Sequence, residues 1–175
     1  MKQLRYGILS TSSIAPRFIA AVRHAQAGQI LSLSSRTLEK AQEKAALWEI
    51  PRFYGSHKEL LADPDIDIVY ISTVNAQHYP WAKAALAAGK HVICEKPCTT
   101  SEAETRELFS LAREKNLFLM EAEKMLFLPD GSGIIYTDYY GDVKFYKEDG
   151  TNEMLSDTEY LFLSFNDTVV CEISS

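Results

Sequence analysis

The chain has 175 residues, room for one full domain with an appendage and too little for an ordinary two-domain enzyme. Hydrophobic residues make up 46% and charged residues 24%, a globular composition that excludes a disordered tail or a low-complexity spacer. With 18 Lys and Arg against 24 Asp and Glu the formal net charge is −6, and no window is dominated by basic residues, which argues against nucleic-acid and acidic-lipid partners.

No apolar stretch approaches the roughly 20 residues of a spanning helix, and residues 1–5 run into a strand-like pattern without a signal-peptide core. No membrane partner and a cytoplasmic location are therefore expected. Cys94, Cys98 and Cys171 are an odd number, which fits a reducing compartment better than a disulfide framework.

From residue 4 to residue 115 short apolar runs alternate with stretches of helical period. Strands are expected over 4–10, 30–34, 52–54, 66–72, 91–94 and 117–121, and helices over 12–26, 38–49, 58–62, 79–88 and 101–115. Gly28 and Gly89 are placed to end helices in a left-handed conformation, and Thr100 to cap the last helix. The fold class expected is α/β, a doubly wound parallel Rossmann sheet, with function at the carboxyl ends of its strands. After Pro129 the helical period disappears, and strands are expected over 133–140, 142–147, 159–165 and 168–174, with turns at Asp149-Gly150 and Asn166-Asp167. The expected architecture is thus a dinucleotide-binding domain over 1–129 with a short C-terminal antiparallel β appendage over 130–175.

The first strand ends in Gly7-Ile8-Leu9-Ser10-Thr11-Ser12-Ser13-Ile14-Ala15. A dinucleotide fold carries G-x-G-x-x-G or G-x-G-x-x-A here, so Ser10 and Ser12 take the first two glycine places and Ala15 the third. Two readings fit. Small hydroxyl residues keep a phosphate loop slim and add donors beside the helix N–H groups, or the segment is an ordinary Ser/Thr helix cap.

The second strand ends in Ser34-Ser35-Arg36-Thr37, with no acid where the adenosine ribose hydroxyls are normally gripped. Arg36 and Lys40 suit a 2′-phosphate, although both also fit a solvated helix start. The fourth strand runs into Thr73-Val74-Asn75-Ala76-Gln77-His78, where Asn75 and His78 are candidates to contact cofactor or substrate and equally fit a capping Asn and a surface His.

The fifth strand delivers Cys94-Glu95-Lys96-Pro97-Cys98. A lysine at the carboxyl end of a strand, followed by proline, stands where a nicotinamide and a substrate hydroxyl would meet, and its ammonium can exchange a proton with that hydroxyl. Glu95 can orient it. His91, Cys94 and Cys98 have metal-ligating atoms, but an odd spacing on a strand turns His91 and Cys94 to opposite faces, so no metal is expected.

Taken in order, Tyr6-Gly7-Ile8-Leu9-Ser10-Thr11, Ser35-Arg36, Asp65-Ile66-Asp67-Ile68-Val69-Tyr70-Ile71-Ser72-Thr73-Val74-Asn75 with His78, and Ala88-Gly89-Lys90-His91-Val92-Ile93-Cys94-Glu95-Lys96-Pro97 resemble the Gfo/Idh/MocA oxidoreductases. The Glu-Lys-Pro block is the most specific part. Glu121-Ala122-Glu123-Lys124 and Phe127-Leu128-Pro129 resemble the dihydrodiol-dehydrogenase-like branch. The resemblance implies hydride transfer between NAD(P) and a sugar, polyol or diol carbon. It places the pyrophosphate at Ser10, Thr11, Ser12, Ser13, Ile14 and Ala15, the adenosine ribose at Arg36, and the nicotinamide side at Thr73, Val74, Asn75 and His78. Lys96 becomes the catalytic lysine, with Glu95 beside it. NADP is the expected cofactor, NAD being possible, and a small-molecule sugar, polyol or diol the expected substrate.

This sequence departs from the family in its serine-for-glycine fingerprint, in Val74 where proline is usual, and in having no histidine after His91. The 46 residues after Pro129 cannot make the whole family substrate domain, so the chain is expected to be a shortened member or a fragment, with a catalytically impaired binding module as the alternative. The aromatic-rich segment 133–174 is expected to pair two copies into a homodimer.

Overall fold

A computed structural model describes residues 3–24 and 28–122 in full and, beyond them, the backbone of four strands over 125–127, 133–137, 143–147 and 152–156. Contacts divide the chain into two compact units, Met1–Ala122 and Glu123–Ser175.

In the first unit β1 (Leu4–Leu9), α1 (Ala15–His24), β2 (Gly28–Ser34), α2 (Leu38–Leu47), β3 (Arg52–Tyr54), α3 (His57–Ala62), β4 (Ile68–Ile71), α4 (His78–Ala87), β5 (His91–Glu95), α5 (Glu102–Glu114) and β6 (Leu119–Ala122) follow one another. The six strands form one sheet in the order β3-β2-β1-β4-β5-β6, parallel at every pairing. The order reverses between β1 and β4, which opens a crevice at their carboxyl ends.

Both faces of the sheet are covered, so β4 is buried at all four positions, an apolar run rather than an alternating one. On one face Tyr6, Ile8, Leu33, Ile68 and Tyr70 pack against Ala15, Ile19 and Val22 of α1 and Ala41 and Ala45 of α2. These α1 positions recur at helical spacing, which makes one apolar stripe. On the other face Leu9, Val69, Ile71, Val92 and Cys94 pack against Leu60, Ala82, Ala85, Leu86, Leu108 and Ala112.

The helix punctuation is partly as the sequence predicts. Gly89 does adopt a left-handed φ of +76° after α4. Gly28 does not end a helix: it opens β2 opposite Leu4, where a Cβ would lie 2.4 Å from the Leu4 carbonyl oxygen, so close approach and not a turn demands glycine. The cap of α5 is Ser101, whose hydroxyl accepts from the Glu104 N–H, while the Thr100 N–H donates to the Glu104 side chain.

The expected antiparallel appendage is corrected. The Rossmann sheet is entirely parallel and carries no antiparallel strand, because Met125–Phe127 (β7), Gly133–Thr137 (β8), Val143–Lys147 (β9) and Asn152–Ser156 (β10) pair only with one another, in a separate four-stranded sheet. Short connections let consecutive strands pair with their neighbours in sequence, which is why they do not extend a parallel edge. The first and last of these strands fall where no strand is predicted. Those expected over 159–165 and 168–174, both predicted turns and the side chains of the C-terminal aromatics lie outside the described residues.

Charged groups gather at the amino edge of the first sheet. Arg5 pairs with Asp67 at 3.0 Å and Asp65 at 2.9 Å, and Arg52 pairs with Asp65 at 2.9 Å and Asp63 at 3.1 Å. The buried Lys90 ammonium donates to the Asp63 and Ile66 carbonyls at 2.7 and 2.8 Å, which pins the α3–β4 connection. Burial pushes the Asp63 carboxyl up, but the Tyr54 hydroxyl, the Asp65 N–H and Arg52 together outweigh it and hold the group below its ordinary 3.8. A depressed carboxylate contributes stability above its unfolded value and loses it as pH falls through the lower native value. Asp63→Asn is therefore expected to weaken the protein at pH 7 and to flatten the loss of urea stability below about pH 4. An acid limb identical to that of the parent would remove Asp63 from this account.

Candidate functional site

The loop after β1 crosses the crevice between β1 and β4. Ser10 has φ +132°, a conformation that favours glycine, and it occupies the first glycine place of a dinucleotide fingerprint. The backbone thus makes the turn despite its Cβ. Ser10→Gly is expected to raise unfolding free energy by about 1 kcal/mol, strain relief outweighing the added chain entropy. An unchanged or lower urea midpoint would show that the serine is unstrained.

The hydroxyls of Ser12 and Thr11 are engaged within the protein. Ser12 donates to the Ser72 hydroxyl at 2.8 Å and the Thr11 hydroxyl lies 3.5 Å from that of Ser35, so they tie the loop to the ends of β4 and β2, its two flanking strands. Ser13 is exposed, Ile14 half-buried and Ala15 fully buried, a small residue where helix meets sheet. The first turns of α2, α3 and α5 carry Glu39, Glu59 and Glu102 with Glu104, whereas α1 and α4 have no acid in theirs. Pro16 has no N–H and the Ala15 and Arg17 N–H groups donate to the Ser12 and Ile14 carbonyls at 3.3 and 3.0 Å, so a diphosphate would be met by the N–H groups of the slim loop and the positive end of this ten-residue helix.

At the end of β2, Ser34 and Ser35 are buried and Arg36 is exposed. Thr37 caps α2 by accepting from the Lys40 N–H at 3.3 Å, so the backbone of Lys40 is spent on the helix start. The Ser34 hydroxyl lies 2.8 Å from His57 Nδ1, and the His57 ring meets Trp81 edge-on at 5.1 Å. Burial first, and then the charge of Arg36, holds His57 below its ordinary proton affinity. His57 thus belongs to the same corner as Arg36. Sequence reading missed it because it lies in a separate connection, brought over by the pairing of β3 with β2.

Beyond β4, Thr73 is half-buried and Val74 and Asn75 are exposed at the head of a short 3-10 turn. His78, open in the sequence to a ligand contact or a surface role, is buried. It is 1% exposed, with Nδ1 2.8 Å from the Pro97 carbonyl oxygen and Nε2 2.9 Å from that of Thr73. Its ring fastens the loop after β4 to the loop after β5.

Glu95 closes β5 and accepts a 2.5 Å hydrogen bond from the buried Tyr70 hydroxyl. Lys96 follows, exposed, with a cis peptide bond to Pro97. The Cys98 N–H donates to the Glu121 carboxylate at 2.6 Å, so β6 holds the far side of this loop. His91 is engaged elsewhere, its Nδ1 accepting from the Phe118 N–H at 2.9 Å, while Cys94 and Cys98 are both buried. The structure therefore gathers the loops after β1, β2, β4 and β5 along one carboxyl edge, with His78 and Tyr70 as the buried supports.

A sheet of this order, with a helix-start cradle at its switch point, defines a dinucleotide-binding Rossmann protein. The oxidoreductase family Gfo/Idh/MocA, NAD-binding Rossmann fold, matches residues 4–123, and the chain belongs to that family. The match ends with the parallel sheet and does not extend to β7–β10. Trans-1,2-dihydrobenzene-1,2-diol dehydrogenases of Mus musculus and Homo sapiens are each 41% identical over 114 residues, 64% of this chain. The chain spans about a third of the length of these relatives, 34% in both cases. Among solved structures, an NAD binding oxidoreductase from Klebsiella pneumoniae has a TM-score of 0.67 at 31% identity, covering 69% of this chain and 34% of that one. A 3-ketoreductase from Actinomadura kijaniata in complex with NADP and TDP-benzene has a TM-score of 0.66 at 31% identity, covering 69% of this chain and 37% of that one.

Proposed function

We propose that this chain is the cofactor-binding part of an NADP-dependent oxidoreductase of the dihydrodiol-dehydrogenase-like branch, acting at a sugar, polyol or diol carbon. The observation that carries it is one sheet edge bearing the acid-free start of α1, the exposed Arg36 just after β2, and Lys96 at the end of β5. The branch is supported by the 41% identity to two dihydrodiol dehydrogenases, and the phosphorylated cofactor by the Actinomadura kijaniata enzyme, whose structure holds NADP.

The nicotinamide, when bound, supplies or accepts the hydride. The slim Ser10 to Ala15 loop, with the positive end of α1 behind it, holds the diphosphate. Arg36 pairs with the 2′-phosphate through its planar fork, while Thr73, Val74 and Asn75 line the nicotinamide side. Lys96 gives or takes the proton of the reacting oxygen, and Glu95 orients it. The strands after residue 130 belong to the substrate and oligomerisation domain in this reading.

Titration with NADPH and with NADH, followed by Trp48 and Trp81 fluorescence, tests it. Trp81 lies against His57 in the Arg36 corner and reports that end of the cofactor. Saturable binding with NADPH the tighter is expected, and absence of binding by both would overturn it. Absorbance of the reduced cofactor with a panel of polyols and diols then separates a working enzyme from a module that only binds.

A further inference from the structure

We propose that Tyr70 is a positioning residue which, through Glu95, sets the environment of Lys96 and keeps it in register with the cofactor loop. The inference rests on the reading of Lys96 as the proton-handling group.

Sheet register makes the contact. Tyr70 of β4 stands beside Ile93 of β5, and because side chains alternate, Glu95 lies two residues on along the same face. Diagonal neighbours of this kind are about 7–8 Å apart, within the reach of a tyrosine but not of a shorter side chain. The phenol is 2.5 Å from Glu95 Oε1, and it donates to the carboxylate. Burial, and then the carboxylate itself, raise the Tyr70 pKa well above its ordinary value, so the phenol remains a donor at every working pH.

The other end of Tyr70 faces the cofactor loop. Its ring stacks on Phe18 at 3.9 Å between centroids and 1° between planes, and Tyr6 meets Phe18 edge-on at 5.8 Å. Phe18 lies in the first turn of α1, directly after the Ser10 to Ala15 loop. One side chain, 1% exposed, therefore touches the helix that begins the phosphate cradle and the residue that precedes Lys96. Packing alone does not require the hydroxyl, since phenylalanine would keep the stack. A buried hydroxyl costs free energy unless it is bonded, and here its bond goes to the carboxylate adjoining the lysine.

The test reads Lys96 directly. Acylation by an amine-reactive acetyl ester is followed by peptide mass spectrometry from pH 7 to 10, with Lys83 and Lys115 as internal references. In Tyr70→Phe the Lys96 rate is expected to change by about threefold or more while the references hold, a size typical of a lost charge-assisted contact acting through one neighbour. Glu95→Gln alone should also move Lys96, and the double variant should move it no further than Glu95→Gln, because both changes break one path. A Lys96 profile in Tyr70→Phe that matches the parent, or single effects that add in the double variant, would overturn the proposal. The labelling needs no cofactor. Failure of the parent to bind NADPH thus defeats the functional reading without deciding this one, and unchanged labelling in a chain that binds NADPH defeats this one alone.

Discussion

His78→Leu is expected to lower the unfolding free energy by about 1–3 kcal/mol, because it removes the buried ring that bonds the loop after β4 to the loop after β5. Leucine fills a similar space, so the loss comes from hydrogen bonding and not from a cavity. The Thr73 and Pro97 carbonyl oxygens lie 2.9 and 2.8 Å from the ring nitrogens, and a carbonyl can only accept. A neutral imidazole donates from one nitrogen only, so one acceptor loses its donor, at a cost of about 1–3 kcal/mol. His78→Gln keeps one donating end and should recover about half of the loss. The consequence reaches the site, since Thr73 starts one wall of the crevice and Pro97 follows Lys96. NADPH binding should weaken along with stability. Urea titration followed by tryptophan fluorescence decides the matter: a parent-like midpoint for His78→Leu would mean that neither carbonyl depends on the ring.

The Rossmann sheet was legible because a parallel sheet imposes one pattern on its chain. Strands buried on both faces, such as Ile68–Ile71, are continuous apolar runs, and the helices between them carry stripes at helical spacing. The loops that form the site were legible for the same reason, since strand ends in such a sheet are where ligands bind. What escaped was whatever depends on a third element. Gly28 reads as a helix terminator by position, but its reason is the Leu4 carbonyl of another strand. His78 sits in a polar loop and reads as a surface side chain, and only the approach of the β5 loop buries it. Tyr70 reads as one more apolar member of β4, and its hydroxyl acquires a meaning only from the register with β5. Beyond Ala122 no helical stripe marks the boundaries, and alternation over five-residue strands admits several placements, so two strands were placed where none had been predicted.

Arg36→Ala is expected to weaken NADPH by about 10–100-fold and NADH by about threefold at most, which is the measure of a charge-assisted contact to the 2′-phosphate. The asymmetry follows from place and chemistry. Arg36 is exposed just after β2, where this fold meets the adenosine ribose, and Ser34, Ser35 and Thr37 supply no carboxylate at the strand end, the next acid in the chain being Glu39 in the first turn of α2. Its charge, after burial, lowers the proton affinity of His57, so the two share this corner of the sheet. NADH offers that corner a neutral hydroxyl, so removing the arginine costs it little. NADPH offers a group of nearly two negative charges, whose attraction to Arg36 should also fade as salt is added, because the site is open to solvent. Fluorescence titrations of the parent and of Arg36→Ala with both cofactors, at two ionic strengths, read the selectivity and its electrostatic origin together. Equal weakening of the two cofactors, or an NADH preference in the parent, would return Arg36 to the solvated helix start and leave the phosphorylated cofactor without a partner on this edge.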